Sequence, residues 1–341
     1  MKLALIGTGR IIGDALYAME PVAGIEKVAI WARNNVARAR ELADKYGIPA
    51  VYTDYTRLLT ESGADTVYIG LVNSVHYAYA REALLRGKHV ILEKPFTAFA
   101  REAEELRTIA AERGLFLLEA VNVLHSDVFD HMRQRLPDLG PVRMVTANFS
   151  QYSSRYDGYL AGKIDPCFDP ALCGGSLYDI NVYNVHFCVG LFGAPREAVY
   201  YPNRGHNGID TSGALILRYP DFVAVCSGAK DSDSPGFVCI QGEKGWLRLD
   251  GKPNTGDTVT TLCSGACGSE NQRDASGAVV RTAAREDWTA PKRHHRMTRE
   301  FMDFAALINA GDVSAAAGLT DEAVTVCRVL EQARLSAGIV F

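Results

Sequence analysis

Five short apolar runs occupy the first third of the chain, at 3–6, 28–31, 66–71, 90–92 and 116–118. Segments with helical apolar spacing separate them, at 36–46, 55–61, 75–86 and 99–113. Runs this short and this uniformly apolar predict strands buried on both faces. Their alternation with helices predicts a parallel sheet covered on both sides. Gly47, Gly63, Gly87 and Gly114 stand where these helices must end, because glycine adopts the left-handed backbone that closes a helix.

The pattern changes after Glu119. Extended segments at 142–151, 198–201, 214–219, 222–227, 237–241 and 246–249 are divided by turn signals such as Tyr219-Pro220-Asp221 and Gly242-Glu243-Lys244-Gly245. They predict a largely antiparallel sheet, with helices near 125–136 and 177–191 packed on it. The 254–284 segment is rich in Gly, Ser and Thr and reads as including a mobile loop; helices at 298–310 and 320–337 follow. A chain of 341 residues exceeds what one core usually serves. The expected fold class is α/β: a doubly wound parallel sheet of the Rossmann type over 1–120, then an α+β domain with a large, mostly antiparallel open sheet over 121–341.

Charge excludes some functions. Lys plus Arg number 36 and Asp plus Glu 40, so the basic excess that nucleic acid demands is missing. The most basic stretch, 285–299, also holds Glu286 and Asp287 and reads as a solvated segment ahead of a helix. No apolar run is long enough to span a bilayer. The apolar opening is cut at Gly7, Gly9 and Arg10, which fits a buried first strand better than an export signal, so a cytoplasmic location is expected. The eight cysteines are scattered without a Cys-x-x-Cys pair. A metal set of Cys263, Cys267, His294 and His295 lacks the tight paired spacing of zinc sites, so no metal is expected and the cysteines read as reduced packing residues.

Gly7-Thr8-Gly9 follows the first run and precedes a helix. The first glycine permits the tight turn. The second lets the backbone approach a pyrophosphate seated on the helix N-terminus. Gly7, Thr8, Gly9, Arg10 and Ile11 are therefore candidate cofactor contacts. The fingerprint is imperfect, because Ile12 occupies its third position. The second strand ends Ile30-Trp31-Ala32-Arg33-Asn34, without the acidic residue that would accept from ribose hydroxyls. Arg33 is instead suited to a 2′-phosphate, which favours NADP(H) and leaves NAD(H) open.

Two further constellations carry chemistry. Glu93-Lys94-Pro95 follows the 90–92 run, at the carboxyl end of a strand, where ligands of such sheets bind. Proline restricts Lys94 and is suited to a cis bond. Asp179, Tyr183 and His186 lie at i, i+4 and i+7, which places carboxylate, phenol and imidazole on one helix face. Gly174-Gly175 ahead of them permits close approach to the first domain. By spacing alone, a capping Asp, a packing Tyr and a core His fit equally well.

Gly7-Thr8-Gly9-Arg10, Glu93-Lys94-Pro95 and Phe168-Asp169-Pro170-Ala171-Leu172-Cys173-Gly174-Gly175-Ser176-Leu177-Tyr178-Asp179 together resemble the glucose–fructose oxidoreductase/inositol dehydrogenase (Gfo/Idh/MocA) family, in its dihydrodiol dehydrogenase-like branch. The resemblance covers nearly the whole chain, including Gly208-Ile209-Asp210. It implies that Lys94 is the catalytic-site lysine, that Asp179 orients substrate, and that Tyr183 stands where other members carry His or Tyr. Leu71-Val72-Asn73-Ser74-Val75-His76 is similar to the family's cofactor segment, with Val72 in place of Pro; Asn73 and His76 are its candidate cofactor contacts, as are Glu93 and Lys94. Asn181 stands where the family usually has glycine, beside the active face. The resemblance further implies a homodimer or homotetramer built through the open sheet.

The expected activity is hydride transfer between a nicotinamide and a carbinol carbon of a sugar, cyclitol or diol. Tyr183 would exchange the hydroxyl proton, and the Lys94 ammonium would stabilise the charge this creates. Arg155, Tyr156 and His186 are candidate substrate contacts. Two alternatives remain: an NAD-dependent glycoside hydrolase, which would cleave a glycoside without net change in nicotinamide absorbance, and a non-catalytic dinucleotide-binding regulator, which the presence of both Lys94 and Tyr183 disfavours.

Overall fold

The apolar runs pair as expected in a computed structural model that describes residues 1–264, 272–273, 275–277, 279–280 and 283–341. Strands β1 (Lys2–Ile6), β2 (Glu26–Trp31), β3 (Ala50–Tyr52), β4 (Thr66–Ile69), β5 (His89–Glu93) and β6 (Leu117–Ala120) form a parallel sheet in the order β3-β2-β1-β4-β5-β6. Helices α1 (Arg10–Ala18), α2 (Val36–Tyr46), α3 (Tyr55–Glu61), α4 (His76–Leu85) and α5 (Ala100–Arg113) connect them. The strand order reverses between β1 and β4, so the carboxyl ends of these strands open a crevice. Gly47, Gly63, Gly87 and Gly114 all take positive φ, as helix closure requires. Strand β3 was not anticipated. It is three residues long and half-buried at the sheet edge, too short to leave a periodic signal.

The second half supplies α6 (Asp127–Arg135), β7 (Val142–Ser150), α7 (Tyr156–Leu160), a single π-helical turn (Leu177–Asn181) and α8 (Val182–Phe192). Strands β8 (Glu197–Arg204), β9 (Asp210–Arg218), β10 (Val223–Ala229), β11 (Phe237–Gly242), β12 (Gly245–Asp250) and β13 (Thr258–Ser264) follow. After a hairpin, β14 (Gln272–Arg273) with β15 (Val279–Val280), comes β16 (Ala283–Thr289). The large sheet runs β16-β13-β12-β11-β7-β10-β9-β8 and is antiparallel except where β7 meets β10. The loop expected over 254–284 is corrected in part. Thr258-Val259-Thr260-Thr261-Leu262 is rich in β-branched residues and pairs on both sides, with Val259 in the core. Of the rest of that segment, residues 265–271, 274, 278 and 281–282, Cys267 among them, lie outside the described residues.

Two terminal helices, α9 (Thr298–Ala310) and α10 (Val313–Ser336), complicate a division at residue 120. Met297, Phe301, Phe304 and Ile308 pack into the first sheet's core, where Phe301 meets Tyr68 edge-on at 5.5 Å between ring centroids. On α10, Ala323, Val324 and Cys327 join one face of that sheet, whereas Val326, Val329, Leu330 and Ala333 join the core of the second domain. One helix thus serves two cores, which fixes the walls of the crevice relative to each other. Among the described residues, no helix is long and apolar enough to cross a membrane.

Candidate active site

The glycine turn after β1 is built to admit another molecule. Gly7 has φ +119°, and a Cβ there would lie 2.8 Å from the Gly70 carbonyl oxygen, so only glycine fits. A Cβ at Gly9 would meet nothing within 4 Å. Gly9 begins α1 without a side-chain cap, and the first turn carries no acidic residue, which leaves the helix N-terminus free for an anion. The bulky Ile12 is accommodated by Gly70. A Cβ at position 70 would sit 2.8 Å from Ile12 Cδ1 and 3.0 Å from Ile11 Cγ2. The third glycine of the fingerprint is therefore replaced by a glycine on the facing strand end.

This turn opens one end of a cleft of about 780 Å³ at the switch point of the sheet. Gly7 to Ile11, Arg33, Asn73, Glu93 and Lys94 line it from the first domain, and Arg155, Asp179 and Tyr183 from the second. The Arg33 guanidinium is exposed on the wall, beside Trp31 and Asn34. Asn73 donates to the Cys173 carbonyl across the cleft at 2.8 Å, with Cys173 held at φ +57°. A dinucleotide fits these residues: an uncapped helix start with a glycine cradle, and a cation at the end of β2 that has no ion-pair partner among the described residues.

At the other end, the Lys94–Pro95 bond is cis and Lys94 Nζ reaches the second domain. It donates to the Asp179 carbonyl at 2.8 Å and to Asp179 Oδ1 at 3.0 Å, and lies 4.9 Å from the centroid of the Tyr183 ring. Burial opposes the Lys94 charge, but Tyr183, Asp179 and Glu93 outweigh it and hold the pKa above the ordinary lysine value. Burial would likewise raise the Asp179 pKa. The ammoniums of Lys230 and Lys94 outweigh it and hold that carboxyl well below the usual range. Glu93 accepts from the Tyr68 hydroxyl at 2.5 Å. Burial pushes its pKa up to about 7 against the lowering by Tyr68, Lys94 and Arg296.

Not every expected residue reaches the cleft. His186 is 0% exposed, and both ring nitrogens face carboxylates: Nδ1 to Glu322 at 3.0 Å and Nε2 to Glu119 at 3.4 Å. Burial works against a charged ring, yet the two carboxylates raise its pKa to about 10. His186 is an imidazolium clamp between β6, α8 and α10, and not a substrate contact. Tyr183 and His186 both lie on the regular helix α8, three residues and about 60° apart, which is wide enough to turn one ring toward the cleft and the other toward β6 and α10. His76 is also buried, bonded to the Pro95 carbonyl at 3.0 Å and the Leu71 carbonyl at 3.1 Å, so it supports the Lys94 turn from beneath instead of meeting a cofactor. Tyr156 stacks with Tyr159 behind the wall, 5.8 Å between centroids, while its neighbour Arg155 lines the cleft and pairs with Asp165 at 3.0 Å. Asn181 points away from the cleft, bonded to the Cys226 carbonyl at 3.0 Å and to Asn184 at 2.8 Å, so the substrate wall is unaffected by it. His294, of the metal set that the spacing disfavours, packs tilted against Tyr17, 4.3 Å between ring centroids.

Two cations were missed. Arg296, in the segment read as solvated, lines the cleft, and Tyr183 and Glu93 favour its charge against desolvation. Lys230 is buried behind Asp179 and gave no local signal. Asp210, quoted only as part of the resemblance, proves to be an anchor: its carboxylate accepts from the Leu177 amide at 2.6 Å and the Tyr200 hydroxyl at 2.8 Å, pinning the start of the π turn.

Comparison with known proteins identifies the family of both halves of the chain. The model of the GFO/IDH/MocA oxidoreductase family, NAD-binding Rossmann fold, matches residues 1–120, and that of the GFO/IDH/MocA C-terminal domain matches residues 131–248. The chain is 30% identical over 341 residues to scyllo-inositol 2-dehydrogenase (NADP(+)) of Bacillus subtilis, covering 100% of this chain and 98% of that one. It is 30% identical over 258 residues to trans-1,2-dihydrobenzene-1,2-diol dehydrogenase of Sus scrofa, 73% of this chain and 74% of the other. A 3-ketoreductase from Actinomadura kijaniata, solved with NADP and TDP-benzene, shares the fold with a TM-score of 0.82 at 22% identity, covering 98% and 97% of the two chains. A dinucleotide crevice closed by a cross-domain Lys94–Asp179 pair, with family matches in both halves, means that the chain belongs to the GFO/IDH/MocA family of oxidoreductases.

Proposed function

We propose that this chain is an NADP(H)-dependent dehydrogenase acting on a secondary alcohol of a cyclitol, sugar or diol. One observation carries the reading: Lys94, Asp179 and Tyr183, from different domains, converge on the cleft whose far end holds the glycine turn and Arg33. The nicotinamide, when bound, supplies the hydride acceptor or donor. The protein's own residues do the rest. The open N-terminus of α1 takes the pyrophosphate, and Arg33 meets the 2′-phosphate. Tyr183 exchanges the proton of the substrate hydroxyl, and Lys94 and Arg296 are the cations that balance the charge appearing as it moves. Asp179 holds Lys94 in place. The scyllo-inositol and dihydrodiol dehydrogenase relatives support this choice of substrate class and, in the first case, of NADP.

The test is a screen of scyllo-inositol, other inositols, aldoses and trans-diols with NADP⁺ and with NAD⁺, read by nicotinamide absorbance. NADP⁺-dependent oxidation of at least one polyol is expected. Cleavage of a glycoside with no net absorbance change would overturn it.

A further inference from the structure

Lys230 follows the last residue of β10, where a lysine would ordinarily reach water. Its side chain is instead 1% exposed. Nζ donates to Asp179 Oδ2 at 2.5 Å and to the Cys167 carbonyl at 3.0 Å, and sits 4.5 Å from the centroid of the Phe168 ring. Its backbone is held on both sides, by the Thr211 carbonyl at 2.8 Å and the Ser153 amide at 2.9 Å. A buried ammonium is retained only where it is paired and fully hydrogen-bonded. Here the pair is one of the residues that shape the cleft.

The Asp179 carboxylate is shared. Lys230 takes Oδ2, and Lys94 takes Oδ1 and the main-chain carbonyl. A single Lys94–Asp179 pair would be neutral. Two ammoniums on one carboxylate leave a net positive charge beside Tyr183, and the same contact fixes which carboxylate oxygen faces Lys94. We infer that Lys230 is a positioning residue for the hydride-transfer site: acting through Asp179, it orients Lys94 and keeps the region where the alkoxide forms positively charged. The inference rests on the function proposed above.

The charged and titratable groups around this cluster, among the described residues, are Asp179, Asp210, Cys167 and the Asp165–Arg155 pair on the Lys230 side, and Tyr183, Glu93 and Arg296 on the Lys94 side. With Lys230 neutralised, the cluster loses one positive charge while Lys94 and Tyr183 remain. Deprotonation of the reacting hydroxyl then becomes harder, whereas the dinucleotide, held at the far end, is bound as before.

The experiment uses Lys230→Met, which keeps the length of the side chain, and Lys230→Gln, which keeps a donor for the Cys167 carbonyl. Oxidation of scyllo-inositol, or of whichever polyol the wild-type screen identifies, is followed with NADP⁺ across pH. The expected result for both variants is a kcat lowered at least about tenfold, with the acid limb of the kcat–pH profile moved upward by roughly one unit. KM for NADP⁺ should stay within about threefold, because Lys230 does not reach the cofactor end. In an Asp179→Asn background, Lys230→Met should add little, since the two act as a unit. A wild-type profile in the variants, or losses that simply multiply with those of Asp179→Asn, would overturn the role. If the wild-type chain oxidises no polyol, the proposed function fails on its own account. Lys230 is then judged by the crystal structure of Lys230→Met with NADPH: Asp179 turned away from Lys94 supports the role, and an unmoved Asp179–Lys94 contact refutes it.

Discussion

Lys94 Nζ lies 3.0 Å from Asp179 Oδ1, although the two residues are 85 positions apart and belong to different domains. The contact ties a strand end of the dinucleotide sheet to a π turn that Asp210 pins from behind. Hydride transfer needs cofactor and substrate held together at close range, and a reacting geometry shared by two domains is only as good as the link between them.

The first prediction tests that link. In Lys94→Ala the ammonium beside Tyr183 is lost, while Asp179 keeps its bond to Lys230 and the glycine turn is untouched. Turnover should fall by about 10²–10⁴-fold, with NADPH affinity within about threefold of wild type. Steady-state kinetics and NADPH fluorescence titration check the two halves. Full activity, or a matching loss of dinucleotide binding, would contradict the assignment.

Arg33 should select the cofactor. Its guanidinium stands on the cleft wall without a hydrogen-bond or ion-pair partner among the described residues. Arg33→Ala should weaken NADP⁺ by about tenfold to a hundredfold, the loss of a charge-assisted contact of about 1.5–3 kcal/mol, and leave NAD⁺ nearly unchanged. Dissociation constants for both dinucleotides decide it. Equal weakening of the two would mean that Arg33 serves the adenine or the fold instead.

Much of the site was legible because its parts sit at chain positions with strong local signals. A glycine turn follows a buried strand, Lys-Pro ends another, and Gly-Gly precedes a helix. Lys230 carried no such signal. One lysine after Ser227-Gly228-Ala229 reads as a solvated strand end, and its burial depends on Asp179, 51 positions away. His186 was misplaced for a different reason: positions i, i+4 and i+7 spread over about 60° of a helix, which is wide enough for His186 to face Glu119 and Glu322 while Tyr183 faces the cleft. Strand β13 was hidden by composition, since threonine marks loops and strands alike until pairing decides.

His186 gives stability a pH dependence. A pKa near 10 in the folded state stands above the unfolded value of about 6.5, so the folded chain binds the extra proton more tightly. This contribution is complete below about pH 6.5 and is lost as pH rises through about 10. Burial raises the Glu119 pKa against the lowering by His186, which adds a term of the same sign on the acidic side. The thermal midpoint should therefore decline from neutral pH toward pH 10. In His186→Gln the decline should flatten and the midpoint at neutral pH should drop, because Glu119 and Glu322 lose their shared cation. An alkaline slope unchanged in the variant would show that other groups set it.

The Ile12–Gly70 exchange yields the last prediction. The third position of the glycine fingerprint normally lets helix and strand approach closely, and here a buried isoleucine fills it. The approach is kept because residue 70, at the end of β4, has no side chain. Gly70→Ala would push a methyl to 2.8 Å from Ile12 Cδ1 and 3.0 Å from Ile11 Cγ2. Ile12 is enclosed and cannot swing clear, so the strain should cost about 1–3 kcal/mol. It should also displace the start of α1, weakening NADP⁺ binding more than it lowers the thermal midpoint would suggest. Ile12→Val in the same chain removes the methyl nearest the clash. Adding it to Gly70→Ala should restore part of both stability and dinucleotide affinity, although Ile12→Val alone costs about 0.5–1.5 kcal/mol. Two substitutions that merely add, measured by thermal unfolding and NADPH titration, would show that the helix and the strand end do not share this space.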